Sequence, residues 1–120
     1  VDSSEMYDIT VSDYVNFAET IAWYDIIDDI REYKGDMVRI DGTITSVSEG
    51  FVHTTTFYVE DCDGNLWFCT YVYDKGDIIL KDGMQATVYG DILGLSTSAV
   101  NVLMSVPKLP NINVVTYEVH

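Results

Sequence analysis

The sequence predicts a mainly β domain: a small antiparallel barrel of five to six strands preceded by an α-helix. Three observations carry this. Short runs of alternating apolar and polar residues recur from Met37 to the end of the chain, separated by Gly, Asp and Pro. One earlier stretch, Ser12 to Tyr33, follows a helical period instead. No link between the strand runs is long enough for the helical crossover that a parallel sheet needs.

The bulk numbers bound what the chain can do. One hundred and twenty residues, 48% of them apolar, make one domain able to build a core without metals or disulfides. Twenty acidic residues face six basic ones, a net charge of −14. Nucleic-acid affinity rests on Lys and Arg neutralising phosphates, so this balance disfavours a nucleic-acid partner. No run of 18 apolar residues exists to form a membrane-spanning helix. The opening Val1-Asp2-Ser3-Ser4-Glu5 reads as a mature or trimmed start, and residues 1–11 as a mobile lead-in.

Residues 12–120 form the single domain. Its helix is placed at 12–34. Val15, Ala18, Ala22, Ile26 and Ile30 recur at steps of three or four, with Trp23, Ile27 and Tyr33 widening the stripe. Ser12 and Thr20 are the N-cap candidates, Glu19-Thr20 is the place where a break would fall, and Gly35 is the C-terminal stop. With little room for a helix between Asp74 and Gly83, this N-terminal helix is expected to close the barrel through Ile26, Ile27 and Ile30.

The first strand, Met37 to Val47, turns Val38, Ile40 and Ile44 inward. Gly42 on the same face marks a bend or bulge of the kind a barrel corner needs. Phe51 to Thr56 reads as either loop or strand, with His53 a surface residue. A hairpin follows. Asp63-Gly64 between two β-rich runs predicts a two-residue type I′ turn. That register pairs Cys62 with Asn65 and Cys69 with Tyr58. It places Phe57, Val59, Leu66, Phe68 and Val72 in the core and Tyr58, Glu60, Trp67, Cys69, Tyr71 and Tyr73 on the other face. Cys62 and Cys69 then lie about 13 Å apart, beyond disulfide reach, so both thiols are expected free.

Met84 to Tyr89 is the next strand, with Ala86 and Val88 inward and Gly90 after it. Asp91 to Ser98 reads as a loop. Val100 to Val106 is a candidate extra strand. Pro107 and Pro110 mark a kinked connection, and Asn111 to Val119 is the last strand.

A long first strand with a central glycine, a hairpin, a short turn region, a further strand and a proline-marked last strand give the layout of the oligonucleotide/oligosaccharide-binding (OB) barrel. The run Tyr33-Lys34-Gly35-Asp36-Met37-Val38-Arg39-Ile40-Asp41-Gly42-Thr43-Ile44 resembles the opening of OB-fold domains of secreted and lipid-anchored proteins of Gram-positive bacteria. The hairpin Glu60 to Gly64, the strand Asp82 to Gly90 and the segment Val106 to Ile112 are similar to later motifs of that family, while Pro110 departs from its pattern. The resemblance covers Ile21 to Val119. It implies an extracytoplasmic setting, secreted or held at the cell surface by an upstream lipid anchor, and brings no catalytic residues.

OB barrels bind through the face of the second and third strands and the adjoining loops. That face is expected to carry Tyr58, Glu60, Trp67, Tyr71 and Tyr73 with Arg39 beside it, and rings edged by polar groups suit a protein or glycan partner. The same rings also suit packing against the helix, the loop at Phe51 to Thr56 or another domain, the reading the sequence favours. No cofactor or metal is expected: Asp61-Cys62-Asp63-Gly64-Asn65 lacks the twelve-residue length and terminal Glu of a calcium loop. Nor does a nucleophile–base pair stand out, with His53 and His120 the only histidines. The expected function is therefore a non-catalytic interaction module. A binder of single-stranded nucleic acid and a small hydrolase-like effector are the alternatives.

Overall fold

In the computed structural model, residues 11–49, 53–72, 79–96 and 109–120 are described. They form a closed five-stranded OB-like barrel with short helices on its N-terminal side. Residues 1–10 of the lead-in, Tyr73 and the candidate strand at Val100 to Val106 lie outside the described residues, while Val11, the last residue of the lead-in, is helical. The strands are β1 (Met37–Glu49), β2 (Thr54–Glu60), β3 (Leu66–Val72), β4 (Gln85–Ser96) and β5 (Leu109–Val119). They close in the order β1-β2-β3-β5-β4. All neighbours are antiparallel except β3 and β5, which meet in parallel from Phe68–Asn111 to Thr70–Asn113.

β1 is long because it serves two partners. Its first half pairs with β4 and its second with β2. The changeover falls at Gly42, where a Cβ would collide with the Glu60 carbonyl and come within 2.8 Å of Val59. The glycine expected at a corner is therefore a close-approach glycine: it lets β2 cross tightly over β1. A bulge between Thr45 and Ser48, with Ser46 at φ 51°, completes the bend. The buried Thr55 hydroxyl donates to the Ser48 carbonyl at 3.1 Å.

Val38, Ile40, Ile44, Phe57, Val59, Ala86 and Val88 fill the interior as their alternation requires, joined by Ile92, Ile112 and Val114. Three readings are corrected. The helix over 12–34 is three short ones: α1 (Val11–Phe17), α2 (Trp23–Asp28) and α3 (Ile30–Tyr33). Between α1 and α2 the chain runs extended, because Glu19 bridges to Val38 in parallel and its carbonyl accepts from Arg39 N–H at 3.0 Å. Asp29, at φ −141° and ψ 63°, separates α2 from α3. Ile26 is nonetheless fully buried in the core and Ile30 packs against it, while Ile27 is half-buried outside that cluster. Gly35, at φ 91°, ends α3 and donates to the Ile92 carbonyl at 2.7 Å.

Second, Asp91 to Ser96 is strand, not loop. Bulges at Tyr89/Gly90 and Ile92/Gly94 break the alternation that would have announced it. Pro110 lies inside β5, opposite Leu95, one residue before the β3 ladder begins, so no bond to β3 is lost.

Third, the hairpin register differs by one. Asp61 N–H donates to Asn65 O and Gly64 N–H to Asp61 O, leaving the three-residue loop Cys62-Asp63-Gly64 with Gly64 at φ 82°. The Asp61 carboxylate selects this loop. One oxygen accepts from Asp63 N–H and Asn65 N–H, both at 3.0 Å, and the other from the Trp67 indole at 3.0 Å. Val59 therefore faces Trp67, and Phe57 faces Cys69. A one-residue slip turns a whole strand over. Trp67, Cys69 and Tyr71 enter the barrel, and Leu66, Phe68 and Val72 leave it. Both cysteines are free, Cys62 exposed and Cys69 buried.

Candidate functional site

The residues expected to share one binding face do not share it. Trp67 is 3% exposed and Tyr71 9%, both interior, the latter edge-on to Tyr117 at 5.0 Å. Tyr73 lies outside the described residues. Tyr58 and Glu60 remain on the outer face of β2, where Tyr58 meets Phe68 edge-on at 5.4 Å. Arg39 is on the outside of β1, paired with Asp41 at 3.3 Å.

What the fold brings together instead is a cleft of about 180 Å³ between the segment entering α2 and the β2–β3 loop. It is lined by Ile40, Asp41 and Trp67, by Thr20, Ala22, Trp23 and Tyr24 on one side, and by Asp61, Cys62, Asp63 and Asn65 on the other. Each wall is fixed by its own bonds. Trp23 donates its indole N–H to the Leu66 carbonyl at 2.8 Å and holds Tyr24 edge-on at 5.0 Å. Tyr24 is left 65% exposed at the rim. The far wall is held by the Asp61 carboxylate. A second depression of about 270 Å³ adjoins the first across Asp41, Asp61 and Cys62 and reaches Thr43, Glu60 and Gln85.

Charge is one-sided here. Asp41, Asp61 and Asp63 line the cleft and Glu60 its neighbour, and the Arg39 guanidinium is engaged by Asp41. Burial pushes the Asp41 carboxyl up, but the Thr87 hydroxyl and Arg39 outweigh it and hold it below its ordinary value. Behind it, Thr87 also lies 2.7 Å from His120 Nε2. Thr87 is 1% exposed, and through it the grouping ties Asp41 of β1 to His120 beyond β5. Burial likewise pushes the Cys69 thiol far above its ordinary value and keeps it protonated.

No family model matches the chain, and no curated protein matches it. The cleft is thus known through its geometry. Sequence reasoning found only Trp67 of its lining among the site candidates, and Arg39 and Glu60 beside it. Thr20 to Tyr24 were hidden inside a helical stripe, and the one available signal was the strained continuity of that stripe at Glu19-Thr20.

Proposed function

We propose that this chain is a non-catalytic, extracytoplasmic OB-type interaction module that takes a protein or glycan partner into the cleft between residues 20–24 and 61–65. The observation that carries the reading is the pairing of ring surface with acceptors in a rigidly walled cleft: Trp23, Tyr24 and the edge of Trp67 beside Asp41, Asp61 and Asn65. Such a combination stacks on an apolar face and accepts hydrogen bonds from hydroxyl, amide or ammonium donors. The charge of −14 weighs against polyanions, so the single-strand-binding alternative is the weaker one. The extracytoplasmic setting rests on the resemblance of Tyr33 to Ile44 to domains of secreted and lipid-anchored proteins.

The test is a screen of the chain against glycan and peptide arrays, repeated with Tyr24→Ala. Tyr24 is exposed, so its loss leaves the fold intact. The reading expects ligands whose binding falls at least tenfold in the variant. Ligands that bind both proteins equally would refute it, and salt-dependent binding of single-stranded oligonucleotide would replace it with the nucleic-acid alternative.

A further inference from the structure

Among the described residues, one rung of β1 has no strand beside it on the β2 side, and the cleft is built on that rung. In an antiparallel pair, successive residues point their main-chain groups to alternate sides. Ile44 N–H donates to Met84 O at 2.8 Å and Ile92 N–H to Asp36 O at 3.0 Å, so the even-numbered residues of β1 face β4. The odd-numbered ones face away. Thr43 and Thr45 meet Glu60 and Tyr58 of β2, and Arg39 N–H meets the Glu19 carbonyl. Asp41 lies between. Continued register would put Cys62 opposite it, but the chain has already turned at Asp61. Among the described residues, no main-chain group meets Asp41 N–H on this side.

We infer that this rung is a β-augmentation site for an extended peptide segment carrying a basic side chain. The inference rests on the interaction-module reading and names the partner for the same cleft. The chain's own Glu19 already makes an isolated parallel bridge to this edge, with Arg39 N–H donating to its carbonyl one rung away. Asp41 N–H, Asp41 C=O and Arg39 C=O supply one donor and two acceptors to a strand-like ligand. The two depressions are each smaller than the roughly 300–1,000 Å³ of drug-sized sites, and they flank the same rung, which suits neighbouring residues of a longer chain. Charge selects the side chain: Asp61, Asp63 and Glu60 surround the rung, and an acidic segment would be repelled.

The experiment uses a blocked pentapeptide of alternating valine and lysine, its analogue methylated on the central amide nitrogen, the same peptide with glutamate for lysine, and neutral oligosaccharides. Binding is followed by Trp fluorescence, and exchange of the Asp41 amide by NMR. The valine–lysine peptide is expected to bind and slow Asp41 exchange at least tenfold. Methylation, glutamate and the variants Asp63→Lys and Ala22→Arg should each weaken binding at least tenfold. Equal binding of the methylated peptide would overturn the inference. Oligosaccharide binding with no peptide binding would also overturn it, yet leave the cleft reading standing. Binding of no probe at residues 20–24 and 61–65 would overturn both.

Discussion

The Asp61 carboxylate ties the hairpin loop to β3. It accepts from two loop amides and the Trp67 indole at once, and in doing so sets which residues of β3 are inside. Asp61→Ala leaves those donors without their acceptor and should cost about 1–3 kcal/mol, read as a lower denaturation midpoint with the indole N–H resonance of Trp67 displaced. Gly42→Ala meets the Glu60 carbonyl, a backbone atom that cannot rotate away, and should destabilise by about 1–3 kcal/mol in the same assay. Tyr14 adds a pH signature. Burial and its hydrogen bonds to Asp91 at 2.9 and 3.0 Å push the phenol up to about 12. A raised pKa gives stability that is complete below the unfolded value of about 10 and is lost as the pH climbs through the folded one. Between about pH 10 and 12 the wild type should therefore lose stability faster than Tyr14→Phe, measured by urea unfolding across that window. The Asp41 shift has the opposite sign. Its contribution is present above the ordinary carboxylate pKa and lost on acidification, so Asp41→Asn should flatten the acid limb of the same profile.

Among the elements, the strands were the most legible. Val38, Ile40, Ile44, Ala86 and Val88 alternate without interruption, and the period that buries them is visible in the residues themselves. Register was less so. Asp-Gly suits a two-residue turn, yet a glycine at positive φ serves a three-residue loop equally well. The choice depends on where the Asp61 side chain reaches, which no local pattern encodes. Leu66, Phe68 and Val72 are as apolar as Trp67, Cys69 and Tyr71, so composition cannot tell the two faces of β3 apart. The broken helix is similar. Ile26 and Ile30 both still reach the core, although Glu19 pairing with β1 parts α1 from α2 and Asp29 parts α2 from α3. Ile26 still plugs the core, so Ile26→Ala should cost about 2–5 kcal/mol in thermal denaturation, while Ile27→Ala, at a half-buried position outside the core cluster, should cost less.

At the scale of the molecule, closure of the barrel explains why the cleft exists. β1 must leave β4 and join β2, and among the described residues the changeover leaves Asp41, still paired with Thr87, with no strand on its β2 side, edged by the N-terminal segment and the hairpin loop. Residues 20–24 and 61–65 are far apart in sequence and meet only in the closed barrel, so the cleft was beyond sequence reasoning even though Trp67 was in hand. The acidic charge spread over the chain then biases the gap toward cationic partners, and their association should slow as salt rises. The central claim is that partners enter here and not on the outer β2–β3 face. Amide chemical-shift mapping with a ligand recovered from the arrays tests it most directly. The account predicts perturbations concentrated at Tyr24, Asp41 and Asp61 to Asn65. Perturbations concentrated at Tyr58, Phe68 and Val72, with that cleft unmoved, would contradict it.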